Sequence, residues 1–559
     1  MLLTHDGERK NVNHVEKALR FFGVSPCRLT ASDLLSKSWT DKSVRLLASA
    51  DELRHLVRQL SSDPEKLVQW RRCVDSAFVY PGADAASLKA LQGLLTDAHP
   101  IIHRDDEHGQ WIISQADHEL CGPLSGLRIP TGRSPLKRED DIATRDVTAS
   151  FVKAEYQSVP VLISAADVID VGAGLVERNF DVRNHVPSAM PIAMYIKSAF
   201  PHTSWRPQVT CACLVIDDLL LKPAYGFFEY KTILDLMEKH NFTSNIAFIP
   251  WNWRRSHRKI VDMFKRHPDR FSLSIHGSDH TRAEFGTQNH DKLAAKSREA
   301  MTRMLSHQAK TGIQHDDIMV FPQGLFSGAS LAALKHANFL AAVNTEVFST
   351  DQPPPSICIS DVWDVAVMRY ADFPIFTRRY PAQGVENFAF DILLGKPCII
   401  VIHHDYCRDN YRHLVDFIDR LNGLDYPLTW SSLGDVVRRS CRQREISPGV
   451  VEVEMYGSEL QLENRSTKSN RYLVRKRVSD CSGIQEIYNG SQLVPCEFRD
   501  DRIHFEVEVP GCTSRLIKTK YKDVHAGRTH VETPAYKIKV RVRRYLSEIR
   551  DNYVSKLTV

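Results

Sequence analysis

An apolar run from Cys211 ends in two adjacent carboxylates, Asp217-Asp218. Farther along, a second apolar run, Phe271 to Ile275, ends in His276-Gly277-Ser278-Asp279-His280. Short apolar runs bounded by polar clusters read as buried strands running out into loops. Side-by-side carboxylates raise each other's pKa, a cost that a bound cation relieves. Two imidazoles and one carboxylate form a common ligand set for a zinc-type ion, with the remaining position left to water. The second carboxylate is then free to take a proton from that water. His276, His280 and one of Asp217 and Asp218 are the candidate ligands, and the other carboxylate is the candidate base. The implied cofactor is a divalent metal, zinc first, with cobalt or nickel as equivalents.

The rhythm around these clusters supports this reading. From 208 to 445 apolar strands recur at Thr210–Ile216, Asn245–Ile249, Phe271–Ile275, Asp317–Phe321, Ala341–Asn344 and Cys398–Ile402. Helical patterns lie between several of them, at Tyr230–His240, Ile260–Arg266, Asp291–Thr311 and Ser330–Asn338. Repeated βα units predict a parallel sheet or barrel, and a βα barrel gathers its chemistry at the C-terminal rim of its strands. The fold class is therefore α/β. A barrel unit (208–445) follows a small α/β unit (1–145) and a connecting segment that packs on the barrel (146–207). Alternating strands with Asn-Gly and Pro-Gly turns predict an antiparallel β-sandwich over 446–559. Its tail, Tyr536 to Arg544, alternates apolar and basic residues and reads as a strand with one solvated basic face, ahead of an anionic-polymer or membrane-surface contact.

Bulk properties exclude several classes. With 559 residues the chain exceeds a single core. A net charge of +5 is too mild to mark a nucleic-acid binder. No apolar run reaches the ~20 residues that span a bilayer. The start lacks a basic segment followed by an apolar one, so a cytoplasmic location is expected. The 12 cysteines include no CxxC pair and read as reduced, buried thiols.

Three further clusters fall at strand ends. Val401-Ile402-His403-His404-Asp405-Tyr406 offers a histidine as the acid that protonates a leaving amine, and strand alternation turns one of His403 and His404 inward. Pro322 and Gly324 permit a tight turn that brings backbone N–H groups to a substrate. Trp251 and Trp253 follow another strand, where aromatic faces stack on sugar rings. Tyr225, whose neighbouring N–H groups suit an oxyanion, and Tyr406 complete the substrate-facing set.

With these residues in view, the stretch from 208 to 440 resembles the polysaccharide deacetylase (NodB-homology) superfamily, carbohydrate esterases of the family 4 type. The resemblance implies a distorted (β/α) barrel that hydrolyses the C–N bond of N-acetylated sugars. It implies Asp217 as base, Asp218, His276 and His280 as metal ligands, and His404 as acid with His403 as substitute. The family's second motif carries a hydroxyl residue where this chain has Gly277. Its third motif reads Arg-x-Pro-x-Gly, and here Val320 replaces the arginine that orients the base. The fourth motif has a loose counterpart in Asp361, Trp363 and Asp364. The implied partner is an N-acetylated carbohydrate, with polysaccharide-assembly proteins possible beside it. Two alternatives stay open. One is a glycoside hydrolase on a similar barrel. The other is an inactive carbohydrate-binding or scaffold protein, which the missing arginine and the two large accessory domains favour.

Overall fold

Seven parallel strands carry the candidate site: β1 (Cys211–Asp217), β2 (Ser244–Phe248), β3 (Phe271–His276), β4 (Ile318–Val320), β5 (Ala341–Asn344), β6 (Ile375–Thr377) and β7 (Cys398–Ile402). A computed structural model describes residues 2–3, 10–36, 44–82, 85–131, 142–144, 147–479, 484–521 and 532–557. The spatial order is β6-β5-β4-β3-β2-β1-β7, with Thr429–Trp430 added beside β1. Past the end of β6, Arg379 pairs with Ile400 of β7, its N–H donating to Ile399 O at 2.9 Å, so the sheet nearly closes into a barrel. Every residue of β1 is buried, as expected of a parallel strand covered on both faces.

Strand alternation sorts the side chains. Leu214 and Ile216 pack outward with Ile233, Phe264 and Phe271. Cys213 and Val215 face inward with Val320, Val343 and Ile399, and Leu433 and Val436 of a short helix fill the same cluster. The outer helices carry matching apolar stripes; Arg258–Arg266 buries Ile260, Val261 and Phe264. The longest, His290–Thr311, starts on an Asn289 side-chain cap and stops at Gly312 in a left-handed conformation. The strands and helices expected from periodicity over 208–440 are all present. Of the seven barrel strands the one missed is β6, too short to show a period.

Ahead of the barrel lies a ten-stranded mixed sheet in which Val44–Ser49, Val74–Tyr80 and Val159–Ser164 run parallel. Val147–Tyr156 pairs antiparallel with Val159–Ser164, so this sheet extends past residue 145. Behind the barrel, a six-stranded and a four-stranded sheet share one core: Val453, Val474 and Phe505 meet Leu462, Ile487 and Ile517. One pair in this sandwich, Val450–Met455 with Asn470–Arg477, is parallel. The strand between them in sequence, Glu459–Asn464, belongs to the other sheet, so the chain returns from the same end.

The tail corrects an expectation. Pro534–Ile549 is a helix, not a strand. Thr533 caps its first turn, its side chain accepting from Tyr536 N, and Pro534 occupies the first helical position. Alternation by two lasts only to Val542. The buried positions Val540, Arg544 and Asp551 follow helical spacing instead.

Candidate active site

The ends of β1 and β3 bring Asp218, His276 and His280 together, with ligand atoms within 4.8 Å of one another. Asp218 Oδ1 lies 3.4 Å from His276 Nε2 and 2.9 Å from His280 Nε2. Asp218 (φ 71°) and His280 (φ 57°) both adopt the left-handed backbone conformation that non-glycine residues rarely hold. His276 Nδ1 faces Val320 O at 3.0 Å, so that nitrogen donates and Nε2 is left with a lone pair. Asp218 Oδ1 is buried and makes no hydrogen bond, although two imidazoles surround it. Acceptors converging without a shared proton fit a divalent cation, and the N/O donor set suits zinc.

The loop between the histidines is held from below. Glu284 accepts from the N–H groups of Ser278, Asp279 and His280 at 2.9, 3.1 and 3.0 Å. Gly277 has φ 65°, and a Cβ there would sit 2.1 Å from Glu284 Oε1 and 2.5 Å from Pro322 Cγ. Glycine therefore stands where the related motif has a hydroxyl residue because a carboxylate steadies this loop instead. Pro322 packs on that glycine, and Gly324 O accepts from Asn344 Nδ2 at 2.9 Å.

Asp217 is buried beside the trio. Arg378, immediately after β6, grips it with two parallel hydrogen bonds of 2.7 Å. Burial alone would push the Asp217 carboxyl up. The Arg378 charge, with His276 and His403, holds it below the usual carboxylate range. The arginine absent from position 320 thus has a counterpart from a different strand. The signal for it was Ile375-Phe376-Thr377-Arg378-Arg379, a short strand-forming stretch ending in charge.

The two histidines after β7 serve different walls. His403 Nε2 lies 3.9 Å from Asp217 Oδ2, and its ring stacks on Tyr380 with centroids 6.3 Å apart. His404 points the other way, its Nε2 3.7 Å from Asp551 Oδ1. Tyr225 donates to Asp551 Oδ2 at 2.7 Å and meets the His404 ring edge-on. Burial would raise the Asp551 carboxyl, but the nearby His404 and hydrogen bonds from Arg550 and Tyr225 hold it low. Asp551 belongs to the C-terminal helical segment, which the sequence reading left outside the site. Its neighbour Asn552 accepts from Gly226 N–H at 2.9 Å, so the N–H expected to serve an oxyanion is already engaged.

Other expected residues lie elsewhere or nearby. Asp361 pairs with Arg369, Asp364 with Arg442, and Trp363 packs in the core on Phe180 and Phe390. Trp251 meets Tyr545 of the C-terminal helix at 6.2 Å, and Arg254 covers the Trp253 ring at 4.3 Å. Both tryptophans line a cleft with Arg303, Lys537 and Arg541. Tyr406 is half-buried, its N–H donating to His403 O. A second acidic group, Asp279, Glu299 and Glu532, is neutralised by Lys296 and Arg303 and is an ion-pair network.

No family model matches the chain, and no curated protein matches it. Solved structures do. A Mycobacterium smegmatis protein described as a polysaccharide deacetylase aligns at 15% identity and a TM-score of 0.30, over 42% of this chain and 91% of its own. A Streptococcus mutans family 4 carbohydrate esterase aligns at 13% identity and 0.27, over 40% and 87%. An acetyl xylan esterase from Clostridium thermocellum, solved with a cobalt ion, aligns at 13% and 0.25, over 41% and 90%. What this chain resembles, over about two fifths of its length, is the polysaccharide deacetylases.

Proposed function

We propose that this chain is a metal-dependent hydrolase that removes N-acetyl groups from an N-acetylated sugar or polysaccharide. The barrel, 208–445, is its catalytic unit; the sheet ahead of it and the sandwich behind it are accessory, and the C-terminal helix adds Asp551 to the site. The observation that carries the reading is the convergence of Asp218, His276 and His280 beside a buried Asp217 held by Arg378. A divalent ion, when bound, supplies Lewis acidity toward the acetyl carbonyl and lowers the pKa of a water. Asp217 accepts the proton of that water, and the Arg378 fork fixes its orientation. His404, backed by Asp551, donates to the departing nitrogen; His403 is the alternative donor from the Asp217 side. Trp251 and Trp253 offer faces for sugar rings at the rim.

The inactive-scaffold reading drew on the missing arginine and on the two large accessory domains, and Arg378 removes the first of these supports. The test is metal content and acetate release from N-acetylated chitooligosaccharides, beside an Asp218→Ala, His276→Ala double variant. About one ion per chain, lost in the variant together with acetate release, is expected. A wild-type protein that takes up no metal from excess zinc, cobalt or nickel sinks the reading.

A further inference from the structure

The C-terminal helix, Pro534–Ile549 with the turn that follows it, has two chemically different faces. Inward, Asp551 and Asn552 reach Tyr225 and Gly226, and Glu548 pairs with Lys222 and Arg255. Both acidic side chains of the segment therefore point at the barrel. Outward, Ile538, Val542, Leu546, Ile549 and Tyr553 are 64, 50, 60, 51 and 68% exposed. At 3.6 residues per turn these positions fall on one stripe, extending roughly 24 Å to Val554. Lys539 and Arg550 flank the stripe on one side, and Lys537 and Arg541 on the other; all four are exposed. Elsewhere among the described residues, large exposed apolar side chains are scattered along the chain.

We infer that this face seats the protein on an anionic lipid surface. An apolar stripe bordered on both sides by lysine and arginine is the pattern of a helix lying in the headgroup plane. The cations meet lipid phosphates while the apolar stripe enters the acyl boundary. A second copy of the chain is the poorer occupant, since a two-fold contact through this stripe would bring like charges together. The arrangement is interfacial: no helix among the described residues is long and apolar enough to cross a membrane. The inference does not depend on the chemistry of the site.

The test is sedimentation of the full chain with large vesicles of phosphatidylcholine alone or with about one third phosphatidylglycerol. An increase of tenfold or more in the bound fraction is expected on the anionic vesicles, reduced in high salt. Leu546→Glu with Ile549→Glu should abolish it. Leu493→Glu, an exposed site on the sandwich, should not, and unchanged near-ultraviolet circular dichroism would show that each variant is folded. Equal binding to both vesicle types, or none to either, overturns the proposal. So does a dimer in solution that the double variant turns into a monomer.

Discussion

Arg378 and Asp217 lie 161 residues apart and are joined by two parallel 2.7 Å hydrogen bonds, with both side chains buried. Planar guanidinium–carboxylate pairing of this kind fixes orientation as well as charge. Removing the cation leaves a buried carboxylate uncompensated. Arg378→Ala should cost about 3–5 kcal/mol in denaturant unfolding. With the arginine gone, the Asp217 pKa rises, so the acid limb of the kcat/KM profile should move to higher pH. Arg378→Lys should keep part of the stability and lose the orientation. An unmoved acid limb in a folded variant would argue against Asp217 as the base.

Asp551 touches His404 and Tyr225 from a helix outside the barrel. Asp551→Asn preserves shape and removes the charge. It should lower kcat about 10–100-fold, as expected for weakening a general acid, with little change in metal content, because Asp551 contacts His404 and Tyr225 rather than the candidate ligands. Asp551→Glu should restore part of the rate. Equal loss in both variants would point to a packing role only.

Gly277 offers a counterintuitive test. Serine would restore the hydroxyl of the related motif, yet its Cβ meets Glu284 and Pro322 and its φ is left-handed. Gly277→Ser should weaken metal binding about 10–100-fold and cost about 1–3 kcal/mol of stability. Competitive chelation titration and thermal unfolding read the two effects.

His307 is buried against Phe248, with Ser256 Oγ 2.8 Å from its Nε2. Burial, with the charges of His315 and Lys310, pushes its pKa down to about 4. Between pH 6.5 and 4 the unfolded chain takes up this proton and the folded chain does not. Stability is therefore full above pH 6.5 and falls as the pH drops through that window. The loss from this group is about 3 kcal/mol. His307→Gln should flatten that part of the pH dependence in urea unfolding, relative to wild type.

The candidate trio Asp218, His276 and His280 was legible because strand endings announce themselves by an apolar run meeting charge, and the order of the runs matched a βα barrel. Arg378 was hidden because its strand has three residues, Ile375–Thr377, too few for a period. Asp551 was hidden for another reason. Tyr536 to Val542 alternates by two, which suits a strand, while the Thr533-Pro534 start and the residues beyond Val540 suit a helix. Glu284 carries no motif; it becomes visible only once the three amides it accepts from are folded around it.

The Asn552 side chain is a carboxamide, the same functional group as an acetylated amine, and its oxygen rests on Gly226 N–H. The protein therefore carries a tethered analogue of the group it is proposed to cleave. A substrate carbonyl that uses this N–H must displace it, so the affinity measured is the intrinsic affinity scaled by the fraction of molecules whose N–H is free. Tether and substrate compete, and shortening the one should tighten the other.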